Sequence, residues 1–244
     1  MKFIRINMKN QTISTEIVAG EFAGSGGRGL TSMLIQVEIP ADCDPLGQDN
    51  KLILAPGLLS GTALVNTGRL SIGAKSPLTG VINESNVGGT IADNIARMGI
   101  AAIIIEEMPQ NDGQFFLQLD ANGVPELFET DEYRGMHTYA LVEKLLDTYG
   151  KGNGILCIGP AGELQMNIAS IQASDVDGRP CRAAGRGGMG AVMGSKGIKA
   201  IIVDSSKKAS APVADTKAFK DAAKRFAKAV REAPFSGKAL PAFG

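Results

Sequence analysis

The sequence predicts an α+β fold with a pseudo-symmetric internal duplication, and three observations carry that expectation. First, hairpin signals place antiparallel strands at two points along the chain. Second, short apolar strands alternate with segments of helical spacing. Third, Gly99-Ile100-Ala101-Ala102-Ile103-Ile104-Ile105-Glu106 matches Gly197-Ile198-Lys199-Ala200-Ile201-Ile202-Val203-Asp204, 98 positions later. A Gly-Gly pair precedes each copy, Gly88-Gly89 and Gly187-Gly188. Upstream, Ile53-Leu54-Ala55-Pro56-Gly57 resembles Leu156-Cys157-Ile158-Gly159-Pro160. Chance likeness between apolar strands is the competing explanation; the shared Gly-Gly offset favours duplication, with halves at about 51–106 and 154–204.

In chain order, residues 2–8 alternate apolar and polar and read as an edge strand, paired across a Lys9-Asn10 turn with Gln11 to Val18. Glu21 to Gly29 reads as a glycine-rich loop. Leu30, Met33, Leu34 and Val37 share one helical face. Pro40 and Asp42 to Gly47 break the chain. Lys51 to Ala55 and Leu70 to Ala74 read as strands. Asn86, a good N-cap residue, opens a helix to about Met98, followed by the buried strand Ala101 to Glu106. Phe115 to Asp120 and Val124 to Glu129 flank an Ala121-Asn122-Gly123 turn as a second hairpin. Tyr139 to Tyr149 is an amphipathic helix, Ile155 to Ile158 a buried strand, and Asn167 to Gln172 another strand. Residues 205–244 hold a linker, an amphipathic helix over Asp215 to Glu232, and a Gly/Pro-rich tail without periodicity.

Composition narrows the function. Lys+Arg and Asp+Glu balance at 25 each, which argues against a broad basic face for nucleic acid. No apolar run is long enough to span a bilayer, and the opening Met-Lys-Phe-Ile-Arg-Ile-Asn is not a signal h-region. Cys43, Cys157 and Cys181 are widely spaced. They give no zinc or self-contained iron–sulfur pattern and suit a reducing cytoplasm. The chain has 31 glycines in 244 residues, nearly twice the usual share, which points to tight turns and backbone-lined sites.

The densest such site is Arg182 to Gly197, with six glycines, two arginines and one lysine in sixteen residues. Glycine lets backbone N–H groups approach a ligand, and arginine presents a planar fork to phosphate. The stretch reads as an anion cradle feeding a short helix and the strand Ile198 to Asp204. If the repeat holds, Asn86 to Gly89 is its counterpart, and two helix N-termini would favour anions in one cleft. Arg69, after Asn66-Thr67-Gly68, adds a third phosphate contact or is a solvated arginine beside a turn. Other motifs carry less. Gly24-Ser25-Gly26-Gly27-Arg28-Gly29 matches the dinucleotide pattern but lacks its parallel βαβ context. Gly194-Ser195-Lys196 is not a P-loop ending. His137, the single histidine, has no metal-ligand companion.

Taken together and in order, Asp44-Pro45-Leu46-Gly47, Asn50-Lys51-Leu52-Ile53, Ala74-Lys75-Ser76-Pro77-Leu78-Thr79-Gly80, Ser85-Asn86-Val87-Gly88-Gly89, Gly159-Pro160-Ala161-Gly162-Glu163, Arg182-Ala183-Ala184-Gly185-Arg186-Gly187-Gly188 and Gly190-Ala191-Val192-Met193-Gly194-Ser195-Lys196 resemble the N-terminal domain of aldehyde:ferredoxin oxidoreductases. The resemblance runs through nearly the whole chain. It implies an α+β fold of two mixed or antiparallel β-sheets with flanking helices, spanning residues 1–204 as the pterin-supporting domain. Residues 205–244 would then lead into a further, absent domain.

The resemblance also implies a function. Such enzymes use tungsten, or sometimes molybdenum, held by two pyranopterins whose phosphates are bridged by Mg²⁺. They oxidise aldehydes to carboxylic acids and pass electrons through a [4Fe–4S] cluster to ferredoxin. By motif, Arg69, Asn86, Gly88, Arg182 and Ala183 would be the pterin-phosphate and Mg²⁺ contacts, with Asn86 and Ala183 supplying oxygens to the metal. None would be catalytic. The cluster cysteines lie in later domains of the family, so this chain alone is expected to be inactive. Its partners would be the downstream domains and, for the parent enzyme, ferredoxin. It would expose apolar surface, and self-association to a homo-oligomer would follow. The alternative is a non-catalytic module or subunit that binds a phosphorylated small ligand or a partner through the same cleft.

Overall fold

The computed structural model describes residues 1–206 and 210–243. Two six-stranded mixed sheets form the body. The first holds β1 Lys2–Asn7, β2 Thr12–Ile17, β3 Leu52–Pro56, β4 Leu70–Lys75, β5 Ile82–Val87 and β6 Ile100–Glu106. The second holds β7 Phe115–Leu119, β8 Pro125–Glu129, β9 Gly154–Cys157, β10 Ile171–Ala173, β11 Arg182–Ala184 and β12 Ile198–Val203. The helices are α1 Gly27–Glu38, α2 Ile91–Arg97, α3 Thr138–Tyr149, α4 Pro160–Glu163, α5 Met189–Ser195, α6 Thr216–Glu232 and a last turn, α7 Leu240–Phe243. No helix among the described residues is long and apolar enough to cross a membrane.

The two sheets share one topology. The first runs β2-β1-β6-β3-β4-β5 and the second β8-β7-β12-β9-β10-β11. In each, the second and third strands are parallel and every other neighbour is antiparallel. Even an irregularity repeats. Pairing skips Ala101 between Lys2–Ile100 and Phe3–Ala102, and skips Lys199 between Phe115–Ile198 and Phe116–Ala200. Gly99 and Gly197, which turn each short helix into its strand, have φ +73° and +70°, a region open to glycine at little cost. The duplication thus extends beyond the repeat visible in the sequence to the opening hairpins.

Burial explains the layers. Inward residues of both sheets, among them Ile4, Leu54, Ile72, Leu117, Leu156 and Ile201, share one core with Ile91 and Ile95 of α2 and Val192 and Met193 of α5. Outside the first sheet, Leu30, Leu34 and Ile35 of α1 pack on Phe3, Ile53 and Ile104. Outside the second, Leu141, Val142 and Leu145 of α3 pack on Phe116, Ile155 and Ile202. Strands covered on both faces read as continuous apolar runs, which is why β6 and β12 were legible.

Several expectations need correction. The edge strand of the first sheet is β2, not β1, because β1 lies between β2 and β6. The helix α1 begins at Gly27, inside the segment read as a loop. It lies close on its neighbours because a Cβ at Gly26 would sit 2.8 Å from Leu58 N, and one at Gly73 2.7 Å from Thr31 Cβ. The strand feeding that glycine loop pairs antiparallel with β1, so no dinucleotide βαβ unit precedes α1. Asn86 does not open a helix. It lies in β5, and α2 begins at Ile91 after Thr90. Residues 167–170 are outside β10, and Ile168 is 76% exposed. The tail, read as aperiodic, is helical from Pro234 to Phe243. The helix α6 starts beyond its cap, Asp215, whose carboxylate accepts Ala218 N at 2.9 Å, and it buries none of its residues.

Candidate functional site

The strands β5 and β11 are the last strands of their sheets and lie against each other. Their edges meet where Arg186 N donates to Ser85 Oγ at 3.0 Å. Buried Ser76 fixes the adjoining glycine turn. Its Oγ donates to Gly187 O at 2.7 Å and accepts Leu78 N and Thr79 N, each at 3.1 Å. Gly187 and Gly188 have φ +69° and +72°. A Cβ at Gly187 would fall 2.0 Å from Asn83 Nδ2, and one at Gly188 2.1 Å from Asn167 O. The glycines of this turn are therefore needed for close packing as well as for backbone shape.

Strand register makes Asn86 and Ala183 equivalent positions of the two halves. Leu54 pairs with Ile103, and Leu156 with Ile201, two partners 98 positions apart. One residue on, Ala55 pairs with Ser71 and Cys157 with Gln172. Ser71 then pairs with Asn86, and Gln172 with Ala183. The same ladder aligns Ser85 with Arg182, since these face Ile72 and Ala173.

On the first edge, Arg69, Asn86 and Gly88 come together. Arg69 Nε donates to Asn86 Oδ1 and its Nη2 to Asn86 O at 3.5 Å. A Cβ at Gly88 would lie 3.3 Å from Arg69 Nη1, so glycine leaves that guanidinium room. On the second edge, Arg182 and Ala183 are exposed. Among the described residues, no carboxylate pairs with Arg69, Arg182 or Arg186. The nearby acids Asp175 and Asp177 are both paired with Arg179, and Asp175 is the more fully satisfied. It accepts Arg179 Nη2 at 2.9 Å, the N–H groups of Asp177 and Arg179 at 3.0 Å, and Cys181 Sγ at 3.1 Å. These bonds hold its carboxyl below the usual range and push the Cys181 thiol up.

A second set of contacts, unseen in the sequence, supports this surface. Lys75 Nζ donates to Ala41 O and Cys43 O at 2.6 Å each. Lys196, fully buried, donates to Gly47 O at 3.0 Å and Gln48 O at 3.4 Å. Asn50 bridges Pro45 O and Lys75 O through Nδ2, and accepts Lys51 N and Lys75 N through Oδ1. One lysine from each half thus clamps the 41–50 loop. Burial pushes Lys196 down to about 8. The blocks Asp44–Gly47 and Gly194–Lys196 therefore act as scaffold.

The chemistry of the donor set can be tested against a phosphate-bridging cation. No group of three His, Cys, Asp or Glu side chains suited to a metal occurs among the described residues, so a cation here needs further ligands from the bound group. An amide oxygen and a main-chain carbonyl are hard donors that suit Mg²⁺, which commonly takes its other oxygens from water and phosphate. Unpaired arginines suit the phosphates. The residues present fit such a group. His137, exposed at the start of α3, makes no cap hydrogen bond with its side chain and takes no part.

The profile of the family "Aldehyde ferredoxin oxidoreductase, N-terminal domain" matches residues 3–205. The chain belongs to that family. A tungsten-containing aldehyde ferredoxin oxidoreductase of Pyrococcus furiosus is 35% identical over all of this chain, and one of Thermococcus kodakarensis 34%. The chain spans 39% of the length of each. The WOR-like subunit of an aliphatic sulfonate oxidoreductase of Pyrococcus furiosus is 29% identical over 74% of the chain and 30% of its own length. Among solved structures, the active site complex BamBC of benzoyl coenzyme A reductase, with bound 1,5 dienoyl-CoA, superposes with a TM-score of 0.84. That match covers 94% of this chain and 34% of the other at 24% identity, which supports the fold.

Proposed function

We propose that this chain is the cofactor-supporting part of a tungsten- or molybdenum-pterin oxidoreductase that converts aldehydes to carboxylic acids. The observation that carries the reading is the meeting of two equivalent strand edges. Each offers one oxygen donor, Asn86 or Ala183, and one arginine without a carboxylate partner, Arg69 or Arg182. When bound, the metal-pterin group supplies the redox chemistry, taking two electrons from the aldehyde and its water. The residues of this chain hold and neutralise. Arg69 and Arg182 would bind the phosphates, Gly88 would keep the approach open, and Asn86 and Ala183 would supply the protein's oxygens to Mg²⁺.

Residues 205–244, of which 207–209 and 244 lie outside the described residues, would then belong with further domains of the same protein, which would also carry the [4Fe–4S] cluster and the route to ferredoxin. Exposed apolar residues support such a covering, including Leu58 at 54%, Leu164 at 69% and Ile168 at 76%. The three unpaired cysteines suit a reducing cytoplasm. The isolated chain does not turn over aldehydes. In the intact protein, Arg182→Ala lowers tungsten or molybdenum content with little change in the melting temperature. Metal analysis of the purified variant is the test, and a normal metal content refutes the assignment at Arg182.

A further inference from the structure

We infer that a cavity in the second half of the molecule binds a small neutral molecule through a lactam-type edge, in which an N–H donor and a C=O acceptor lie side by side. The cavity encloses about 310 Å³ between the loop before β7, the loop after α4 and the turn from α5 into β12. Ligand pockets begin near that size, at about 300 Å³. None of Arg69, Asn86, Gly88, Arg182 and Ala183 lines it, so it stands apart from the site proposed above.

The charged groups in its wall are already matched. The Lys199 side chain, 0% exposed, donates to Glu163 Oε1 and to Met136 O, the latter at 3.0 Å. Glu163 Oε2 also accepts Gly135 N at 2.9 Å. Arg134 Nη2 donates to Asp131 Oδ1 at 2.6 Å, and its Nη1 lies 3.5 Å from Asp112 Oδ2. An ionic ligand would have to compete with these pairs and leave a charge uncompensated, which is costly for the buried Lys199. A neutral ligand leaves them in place.

One polar group in the wall is not matched. Gln114 is 7% exposed, and its Oε1 is buried without a hydrogen-bond partner. Native proteins leave few buried acceptors unpaired. A glutamine amide holds an acceptor and, beside it, two N–H donors. The group that pairs with both at once carries the same two functions in reverse, as a lactam does. Its N–H goes to Gln114 Oε1 and its C=O to Gln114 Nε2. A carboxylate, a ketone or a tertiary amide has no N–H and leaves Oε1 unpaired. Met108 and Pro109 line the same space and give the ring carbons apolar contact. The wall also holds a strained residue. Gln165 has φ +53°, with its N–H donating to Gly162 O at 2.9 Å. A residue other than glycine adopts that backbone at a cost, and such strain gathers where ligands are held.

The test is saturation-transfer NMR on the intact protein with small five-membered rings. 2-Pyrrolidone has both the N–H and the C=O. Cyclopentanone and N-methyl-2-pyrrolidone keep the C=O and lack the N–H, and the former adds no bulk. Saturable binding of 2-pyrrolidone is expected, with both other rings weaker by about tenfold or more, the effect of leaving one buried acceptor unpaired. Gln114→Leu and Gln114→Met remove both polar ends at similar size. They are expected to erase that preference while their melting temperatures stay at or above the parent's, since an unpaired polar group is lost. No saturable signal from 2-pyrrolidone, or equal binding of the three rings to the parent, overturns the site and leaves the cavity to water. An unchanged preference for 2-pyrrolidone in the Gln114 variants overturns the role of Gln114.

Discussion

Replacing Gly194 by alanine separates helix propensity from packing, because the two predict opposite signs. Gly194 lies inside α5. By propensity alone, alanine in a helix interior is more stable than glycine by up to about 1 kcal/mol. The structure reverses this. A Cβ at Gly194 would lie 1.9 Å from Gly162 O and 2.8 Å from Gly162 C. Ordinary contact begins near 3.4 Å, so α4 and α5 must separate by more than an ångström. The obstacle is backbone, which no rotamer change relieves. Overpacking of this kind costs typically 1–3 kcal/mol, and the upper end applies here. The net loss is about 2 kcal/mol, which lowers the melting temperature by roughly 4–8 °C for a domain of this size. Gly185→Ala is the control. Its nearest neighbour would be Ala183 Cβ at 3.9 Å, so its melting temperature stays within about 2 °C. Thermal unfolding followed by circular dichroism on both variants decides the matter. A Gly194→Ala protein as stable as its parent, or more so, refutes the packing argument.

Three further outcomes follow from the contacts. Lys196 has its pKa lowered from 10.5 to about 8, so the folded state binds fewer protons than the unfolded chain between those values. Stability contributed by this group therefore rises with pH across that window, by about 3 kcal/mol at most, and urea unfolding of Lys196→Met, set against the parent at pH 7.5 and 9.5, should show that rise abolished. Glu38 accepts Arg5 Nη2 at 2.6 Å and Lys51 Nζ at 2.7 Å. Against the opposing cost of burial, those bonds hold its carboxyl below the usual range, so its contribution is present above the unfolded value and lost as pH falls; Glu38→Gln should cost about 1–2 kcal/mol at pH 7 and less at pH 4 in denaturant titrations. Ser76→Ala leaves Gly187 O and two N–H groups without their partner, and calorimetry should show a loss of about 2–3 kcal/mol.

What the sequence revealed depended on how each residue is used. Buried strands such as Ile100–Glu106 and Ile198–Val203 announce themselves, because burial on two faces demands a continuous apolar run. The strand β5 hid for the opposite reason. It ends a sheet and faces the site, so its residues Asn83, Glu84, Ser85 and Asn86 are polar, and Asn86 mimicked a helix cap. The start of α1 hid because Gly27 and Gly29 are poor helix formers; tertiary contact, not propensity, places that turn. The opening hairpins showed no repeat because β1 and β7 share a place in the topology but not a sequence. The clamp at Lys75 and Lys196 was invisible, since nothing local says that a lysine will spend its donors on four carbonyls of a distant loop.

The duplication also explains why the candidate site is asymmetric. Two copies of one topology bring two equivalent edges side by side, which alone would give two identical half-sites. Substitution then made them different. Where one half has Arg69 just before the inner strand and Asn86 on the edge strand, the other has Ser170 and Ala183 at the matching places. It carries its arginine instead at Arg182, matched by Ser85. Each half keeps one arginine and one oxygen donor, but at different heights on the ladder. Similar asymmetry marks the support beneath, where Lys196 occupies the place of Met98. A group with two chemically alike arms and one central cation needs two of everything, at positions that need not coincide. A strict two-fold arrangement would carry the same side chains at the same places; here one edge presents the Asn86 side chain beside Arg69, and the other Ala183 beside Arg182.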